Sequence, residues 1–529
     1  MNLIHDPWLP IRRRSGAEER IAPWQITDRM DSDPVTALAA PRPDFDGALA
    51  ELWIGLLQTA LAPARGREWR RRFDAPPPPE ELRAAFEPFA SAFELFGDGP
   101  RFLQDLTLQE SEAVQRTVEW LLIEVAGFAE EEGKGHFVRS GEIRNLCAPC
   151  AAAALFTLQT DAPGGGRGHR TGVRGGGPLT TLVVTSGSLW ESLWLNVLDA
   201  GSFPPGNPDR DRPEDRFPWL APTRTSEAGT GRETTLEDAH PLQMFWGMPR
   251  RVRLLPEPGQ GARCDLCAGP ADPVVRHCLA RHSGVNYTGS WPHPLTPSYK
   301  DAKGQVLPRH GERTGIGYRH WLGLVVKEGE RTRPAAVVEA FQAQSDRRER
   351  AGDFRLWAFG FAMDNMKALA WSEGTMPLFA VSEEKRKNFE GESLLWVTAA
   401  RDAENALSYA VKRASARNPK DLKGDFAVAG SLFWQETEPP FWDLLTTLQE
   451  KIDPVEAPLE LRKQWFDELA RTARRIFHAV AGTADFDVHD PQRVAAAWHG
   501  LRMALWRIRD QTLHLPRVPR EQAATGATA

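Results

Sequence analysis

NLCAPCAAAALFTLQTDAPGGGRGHRTGVRGGGPLTTL, residues 145–182, puts in one run a cysteine pair, an apolar segment, a glycine- and arginine-rich stretch and the start of a β-branched run. The pair is Cys147 and Cys150; a second C-x2-C pair, Cys264 and Cys267, is separated from it by the 113 residues 151–263. Two residues between cysteines let both thiolates turn toward one ion, and two such knuckles complete a tetrahedral zinc site. Disulfides are rare in reducing compartments, and a redox C-x2-C does not explain a second copy. The four cysteines are therefore read as a structural zinc site that staples distant parts of the chain. With four thiolates it has no open position for hydrolysis. The fifth cysteine, Cys278, is read as a buried spare.

The stretch APGGGRGHRTGVRGGGP, residues 162–178, resembles a phosphate loop but lacks the G-K-[ST] ending of a nucleotide-binding loop. It also follows a predicted helix and precedes a predicted strand, the reverse of that loop's order. Without a Cβ, glycine lets backbone approach a ligand closely, and arginines between the glycines add phosphate contacts. A glycine-rich hairpin facing a nucleic-acid groove fits both features; a flexible linker is the plainer alternative. The chain carries a formal net charge of −6, which by itself argues against phosphate binding. The charge is unevenly spread: from Lys134 to Gly177 there are six Lys/Arg against Glu142 and Asp161. A local basic patch on an acidic chain still attracts phosphates.

With 529 residues, 41% of them hydrophobic, and 19 Trp, the chain holds enough apolar bulk for two to four packed domains. No apolar run reaches the roughly 18 residues of a membrane span. The start, MNLIHDPWLPIRRR, lacks the basic-then-apolar order of a signal peptide. A soluble cytoplasmic protein without a membrane partner is expected.

Working outward, short strands are predicted around NLIHDPWLPI, a helix over DFDGALAELWIGLLQTALA (44–62), and a helix start at APPPPEEL (75–82). The charged stretch 128–144 is read as a loop, CAAAALFTLQ as a short helix and PLTTLVVT (178–185) as a strand. SLWESLWLNVL is read as helical, 201–238 as a long surface connection, and RRVRLLPE (250–257) as a strand leading to the second knuckle. After about residue 335 the texture becomes helical. PAAVVEAFQAQ and DFRLWAFGFAMDNMKALAW are read as helix, the second interrupted near FGFAMDN. SLLWVTAARDAENALSYAVKRA and PFWDLLTTLQEKI follow as long helices. Two further helices carry the stripes Trp465, Leu469, Ala473, Ile476, Val480 and Val494, Trp498, Leu501, Leu505, Ile508, spacings that suit a bundle. Their opposite faces carry Arg471, Arg474, Arg475, Arg502, Arg507 and Arg509. A solvated face is the default reading, and a face against DNA backbone the sharper one. The expected fold class is α+β: a mixed α/β domain over 1–380 with the zinc site, a four-helix bundle over 381–515, and a disordered tail over 516–529.

Enzyme signatures are missing from the sequence. His5-Asp6 and His489-Asp490 look like the His-Asp pairs of metal phosphohydrolases, but Asp490-Pro491 reads better as a helix cap with Pro in the first turn. There is no nucleophile elbow, H-E-x-x-H or Walker sequence. A binding protein is favoured over an enzyme.

Taken in order, NLIHDPWLPI, the paired knuckles, APGGGRGHRTGVRGGGPLTTL, FWGMPRR (245–251), WPHPLTP (291–297) and FAMDNMKA (361–368) resemble the CasA family, the large subunit of the type I-E CRISPR Cascade complex. The resemblance spans nearly the whole chain. It implies a non-catalytic subunit that reads the protospacer-adjacent motif of double-stranded DNA, promotes its opening for guide-RNA pairing, contacts the other Cascade subunits and recruits the helicase-nuclease. It implies that Gly164, Gly165, Gly166, Arg167 and Gly168 enter the minor groove, Arg167 standing where the family can have glycine. The family's duplex-splitting wedge corresponds to Asp364, Asn365 and Met366. Its lysine finger has no lysine here, and Arg281 or His282 is nearest. Phe137 corresponds to the loop that meets the guide-RNA end. A zinc-stapled scaffold without DNA reading, or a metal-dependent nuclease, are the alternatives.

Overall fold

One strand, Val274–Arg281, gathers segments that are far apart in sequence. Arg251–Glu257 pairs antiparallel along it, and Val114–Thr117 and Leu146–Cys147 pair antiparallel with its two halves. Its sequence, VVRHCLAR, is rich in β-branched and apolar residues, and Val274, Val275, Cys278, Leu279 and Ala280 are buried. Cys278 is thus a core residue of this strand. The structure, a computed structural model, describes residues 1–123, 141–161, 163–164, 169–204, 207, 209–327, 329–343, 353–364, 367–379, 381–415, 427–481 and 490–516.

The chain is α+β and divides into two units, Met1–Ile316 with Gly323–Leu378, and Gly317–Leu322 with the residues from Phe379 on. In the first unit, Leu9–Arg13 is the centre of a three-stranded antiparallel sheet with Glu18–Ile21 and Val35–Leu38. The helix Pro43–Leu61 follows, with Pro in its first turn and Phe45, Leu49, Leu52, Trp53, Leu56 and Leu57 buried. The helix Ala148–Asp161 starts at the first cysteine pair and is buried over most of its length. An aromatic core joins Phe93, Phe102, Phe217, Trp219 and Trp246, with edge-on ring pairs such as Phe93–Trp246 at 5.4 Å and Phe102–Trp219 at 5.4 Å.

The expected helix over DFRLWAFGFAMDNMKALAW is not there. Phe354–Asp364 and Lys367–Pro377 are antiparallel strands, and the first also pairs with Thr180–Thr185. The run is almost continuously apolar, and such a run fits a helix or a fully buried strand equally well. Two glycines tip the balance. A Cβ on Gly360 would lie 2.4 Å from Pro178 O, and one on Gly374 would lie 2.5 Å from Ile316 O, the close backbone approach that glycine in a strand marks. Phe359 seats on the helix Pro43–Leu61 at Gly47, where no Cβ fits.

The second unit is a bundle of Glu383–Ser415, Ala427–Lys451, Leu459–Ala481 and Pro491–Arg507. Trp465, Leu469, Ala473 and Ile476 are buried as the stripe requires, as are Leu501, Leu505 and Ile508, whereas Val480, near a helix end, is 39% exposed. Asp490 caps its helix, its carboxylate accepting from the Gln492 N–H at 3.0 Å ahead of Pro491. The six residues Gly317–Leu322, which the sequence reading assigns to the first domain, pack here. Tyr318 stacks on Phe441 at 4.4 Å, and its hydroxyl meets Thr437 Oγ1 at 2.7 Å. Arg471 and Arg475 on the outer face are paired with Glu468 and Glu436. Among the described residues no helix is long and apolar enough to cross a membrane.

Asp46, in the first turn of Pro43–Leu61, yields a stability prediction. Burial pushes its carboxyl up to about 6, against the Ala40 N–H that donates to it, and Glu373 pushes the same way as burial. The folded chain therefore keeps the proton to a higher pH than the unfolded chain does. Stability is lost as pH rises from about 4 to 6, and the penalty persists above that. Asp46→Asn keeps an acceptor for Ala40 and is expected to stabilise the protein at pH 7.5 by up to about 2 kcal/mol. At pH 4 it should have little effect. Thermal melts at the two pH values test this.

Candidate nucleic-acid interface and metal centre

The four paired cysteines converge: their sulfurs all lie within 4.8 Å of one another. Sheet register explains how the sequence gap closes. Cys147 ends the short strand paired to Val274, and Cys264 and Cys267 sit in the connection between Arg251–Glu257 and Val274–Arg281. Asp265 fastens the knuckles, its carboxylate accepting from the N–H groups of Arg144 and Asn145, both at 2.7 Å. Cys147 Sγ and Cys267 Sγ are 3.7 Å apart, and a tetrahedral ion with bonds of about 2.3 Å needs an edge of about 3.8 Å. Four such sulfurs cannot all ionise unaided. Hydrogen bonding to Cys147, Cys264 and Cys267, together with burial, drives the Cys150 thiol far up. Arg20 Nη2 lies 3.1 Å from Cys267 Sγ. Burial opposes its charge, yet the surrounding sulfurs hold its pKa above the ordinary value. A set of four cysteines with an arginine against it fits a thiophilic dication such as Zn²⁺, and the arginine offsets part of the charge of four thiolates.

The clamp stands at the N-terminal end of Ala148–Asp161, and the glycine stretch begins at the other end of that helix. Gly177 N–H donates to Asp161 O at 3.2 Å, closing the stretch back onto the helix. Below it Arg174, 2% exposed, donates to Glu51 at 2.7 Å, Thr180 at 2.8 Å and Thr296 at 3.0 Å, with Asp161 at 3.9 Å. Gly177 is held at φ +62, and a Cβ on it would lie 2.6 Å from Met363 Cγ and 2.7 Å from Phe361 O. Only glycine accepts both the φ and the approach. The end of the glycine stretch therefore rests on the strand that leads to Asp364.

The resemblance assigned other residues, and these are placed as follows. Gly164 is half-buried and Asp364 is exposed at the end of its strand. Gly165, Gly166, Arg167, Gly168, Asn365, Met366 and Phe137 lie outside the described residues. Arg281 is ion-paired with Glu112 and, at 3.0 Å, with Glu227. His282 packs its ring on His169 at 5.1 Å, and His169 also faces Trp120 at 6.1 Å. Burial, then Arg250, His282 and Arg116, push His169 down to about 4. It is therefore a neutral ring at physiological pH. The sequence reading missed His169, Arg250, Glu51 and Arg20. A signal for Arg250 was present in FWGMPRR, a motif to which no role was attached.

The family model described as CRISPR-associated protein Cse1 matches residues 2–476. Among solved structures, Thermobifida fusca Cse1 superposes with a TM-score of 0.73 at 18% identity, covering 98% of this chain and 99% of that one. Thermus thermophilus CasA (Cse1) gives 0.67 at 19% identity, covering 96% and 98%. A chain from a structure described as a CRISPR RNA-guided surveillance complex gives 0.70 at 18% identity, covering 96% and 99%. At these identities the likeness is one of fold.

Proposed function

The chain belongs to the CRISPR-associated Cse1 family, and from that premise we propose that it is the non-catalytic large subunit of a type I-E CRISPR Cascade complex, the part that reads the protospacer-adjacent motif. The observation that carries the reading is the contact of Gly177 with Met363 and Phe361. It joins the glycine stretch to the strand that leads to the wedge residues, so motif reading and strand separation are coupled within one folded unit. The glycine stretch with Arg167 probes the minor groove, where Arg favours a narrow, electronegative groove. A·T and T·A present the same acceptors there, so several motifs are tolerated. Asp364, Asn365 and Met366 enter beside the motif and substitute for lost stacking. Guide-RNA pairing then takes over sequence reading. Contacts with other Cascade subunits, and recruitment of the helicase-nuclease, complete the role.

We assign zinc to the four cysteines as a structural ion. Bound there, it would neutralise thiolates and fix the two knuckles; Cys147, Cys150, Cys264 and Cys267 hold it, and Arg20 lies against them. The function is tested by assembling the complex with and without this chain and measuring binding to duplex targets that differ only in the motif. The complex with the chain should prefer the motif-bearing target by at least about tenfold, the value of one well-read base pair. The complex lacking it should show no preference. Equal preference in both would remove motif reading from this subunit and leave it a scaffold.

A further inference from the structure

A cavity of about 460 Å³ opens beside the cysteine cluster, a size within the roughly 300–1,000 Å³ of small-ligand sites. It is walled by the strands Leu9–Arg13, Glu18–Ile21 and Val35–Leu38, by the first turns of the helix Pro43–Leu61 and by the two knuckles. Trp8, Phe45 and Leu49, each 1% exposed, and the half-buried Leu266 make much of the wall apolar. The zinc clamp and motif reading leave this cavity without a role.

Four charged side chains line it, and three are already engaged. Arg12 donates to Glu18 Oε1 through Nε at 3.1 Å and Nη2 at 2.8 Å. Arg20 Nη2 lies 3.1 Å from Cys267 Sγ. The fourth is Asp46, half-buried, whose Oδ1 accepts from the Ala40 N–H at 2.8 Å. Among the described residues no cation pairs with it. Burial, then Glu373 and Asp44, disfavour its charge, with Ala40 and Arg12 opposing. A carboxylate kept in an apolar-walled cavity at a cost in stability is relieved by a cation brought to it. An anion would have to draw Arg12 from Glu18 or Arg20 from the cysteines, and would face Asp46 as well.

We propose that this cavity binds an organic cation: Asp46 takes a guanidinium, amidinium or ammonium head, and Trp8, Phe45 and Leu266 cover the apolar body that carries it. The head is held by a charge-assisted hydrogen bond to the carboxylate. The site does not depend on motif reading. The same head is offered by a free small molecule or by an arginine side chain of a partner subunit. Asp46→Asn keeps an acceptor for Ala40 and removes the charge. It is expected to be more stable than the native chain at pH 7.5, as argued above, so binding lost in it does not come from unfolding.

The test titrates the full chain at pH 7.5 with benzamidine and with benzamide, a neutral probe of nearly the same shape, and follows binding by ligand-observed NMR. Benzamidine should bind at least about tenfold more tightly, the lower end of what a hydrogen bond to a charged group contributes. In Asp46→Asn the two probes should come within about threefold of each other. No binding of benzamidine, equal affinity for the two probes, or a native preference kept by Asp46→Asn overturns the proposal. Repeating the titration on the assembled complex separates the two sources, and this arm alone rests on the complex proposed above. Benzamidine that binds there as to the free chain points to a small molecule. Benzamidine excluded there, and readmitted when the arginine of a partner subunit that reaches Asp46 is replaced by glutamine, points to that side chain.

Discussion

Replacing Cys264 and Cys267 together by serine should release one zinc per chain and take away much of the stability of the first unit. Structural zinc contributes about 10–16 kcal/mol where a small fold depends on it. Here a larger core shares the load, so a loss of several kcal/mol and a melt at least about 10 °C lower is expected. The reason is geometric. The knuckles join the connection after Arg251–Glu257 to the start of Ala148–Asp161, and that helix carries the glycine stretch at its far end. Without an ion, the cluster leaves Cys150 protonated and four sulfurs crowded within 4.8 Å. Arg20→Met keeps the four ligands but removes the charge that lies 3.1 Å from Cys267 Sγ. It should weaken zinc about tenfold or more, as loss of an outer partner does elsewhere. Metal analysis beside a thiol titration measures both. Substoichiometric zinc with all four thiols titratable in the native protein would remove the clamp.

The second large effect is expected at Arg174. It holds Glu51 and Thr180 with Thr296 in an interior where Arg174 and Glu51 are each 2% exposed. Arg174→Met strands Glu51 and Asp161, and breaking a buried pair by removing one partner costs about 3–5 kcal/mol. The pH dependence has a definite sign. Burial, then the Glu51 charge, already raises the Asp161 carboxyl, with Arg174 opposing. Without Arg174 it rises further, so the folded variant takes up protons that the unfolded chain releases. The variant's deficit should be largest near pH 8 and shrink as pH falls. Adding Glu51→Gln should recover part of it. Denaturant melts of the two variants across pH 5–8 read this directly. A deficit that does not depend on pH would mean that stranded carboxylates are not its cause.

The cysteine ligands were legible because spacing alone turns two thiolates to one point. The way the 113-residue gap closes was not, because it depends on which strands pair with Val274–Arg281. The bundle was legible from stripes such as Trp465–Leu469–Ala473, since helical period and burial are local properties. The strand Phe354–Asp364 was misread because its continuous burial over 358–362 erases the alternation that marks a strand. Gly360, inside the run, was the available clue. Glu51 and Arg174 are 123 residues apart, and nothing local in either sequence marks them as partners.

Motif reading by this subunit is tested most directly by placing Arg167→Ala and Asn365→Ala together in the assembled complex. Binding is then measured to a fully paired motif-bearing target and to the same target already opened beside the motif. Binding to the paired target should fall by at least about tenfold, and pre-opening should restore part of it, because the opened duplex no longer needs the wedge. Native-like binding to both targets would contradict the assignment of motif reading and duplex opening to these residues.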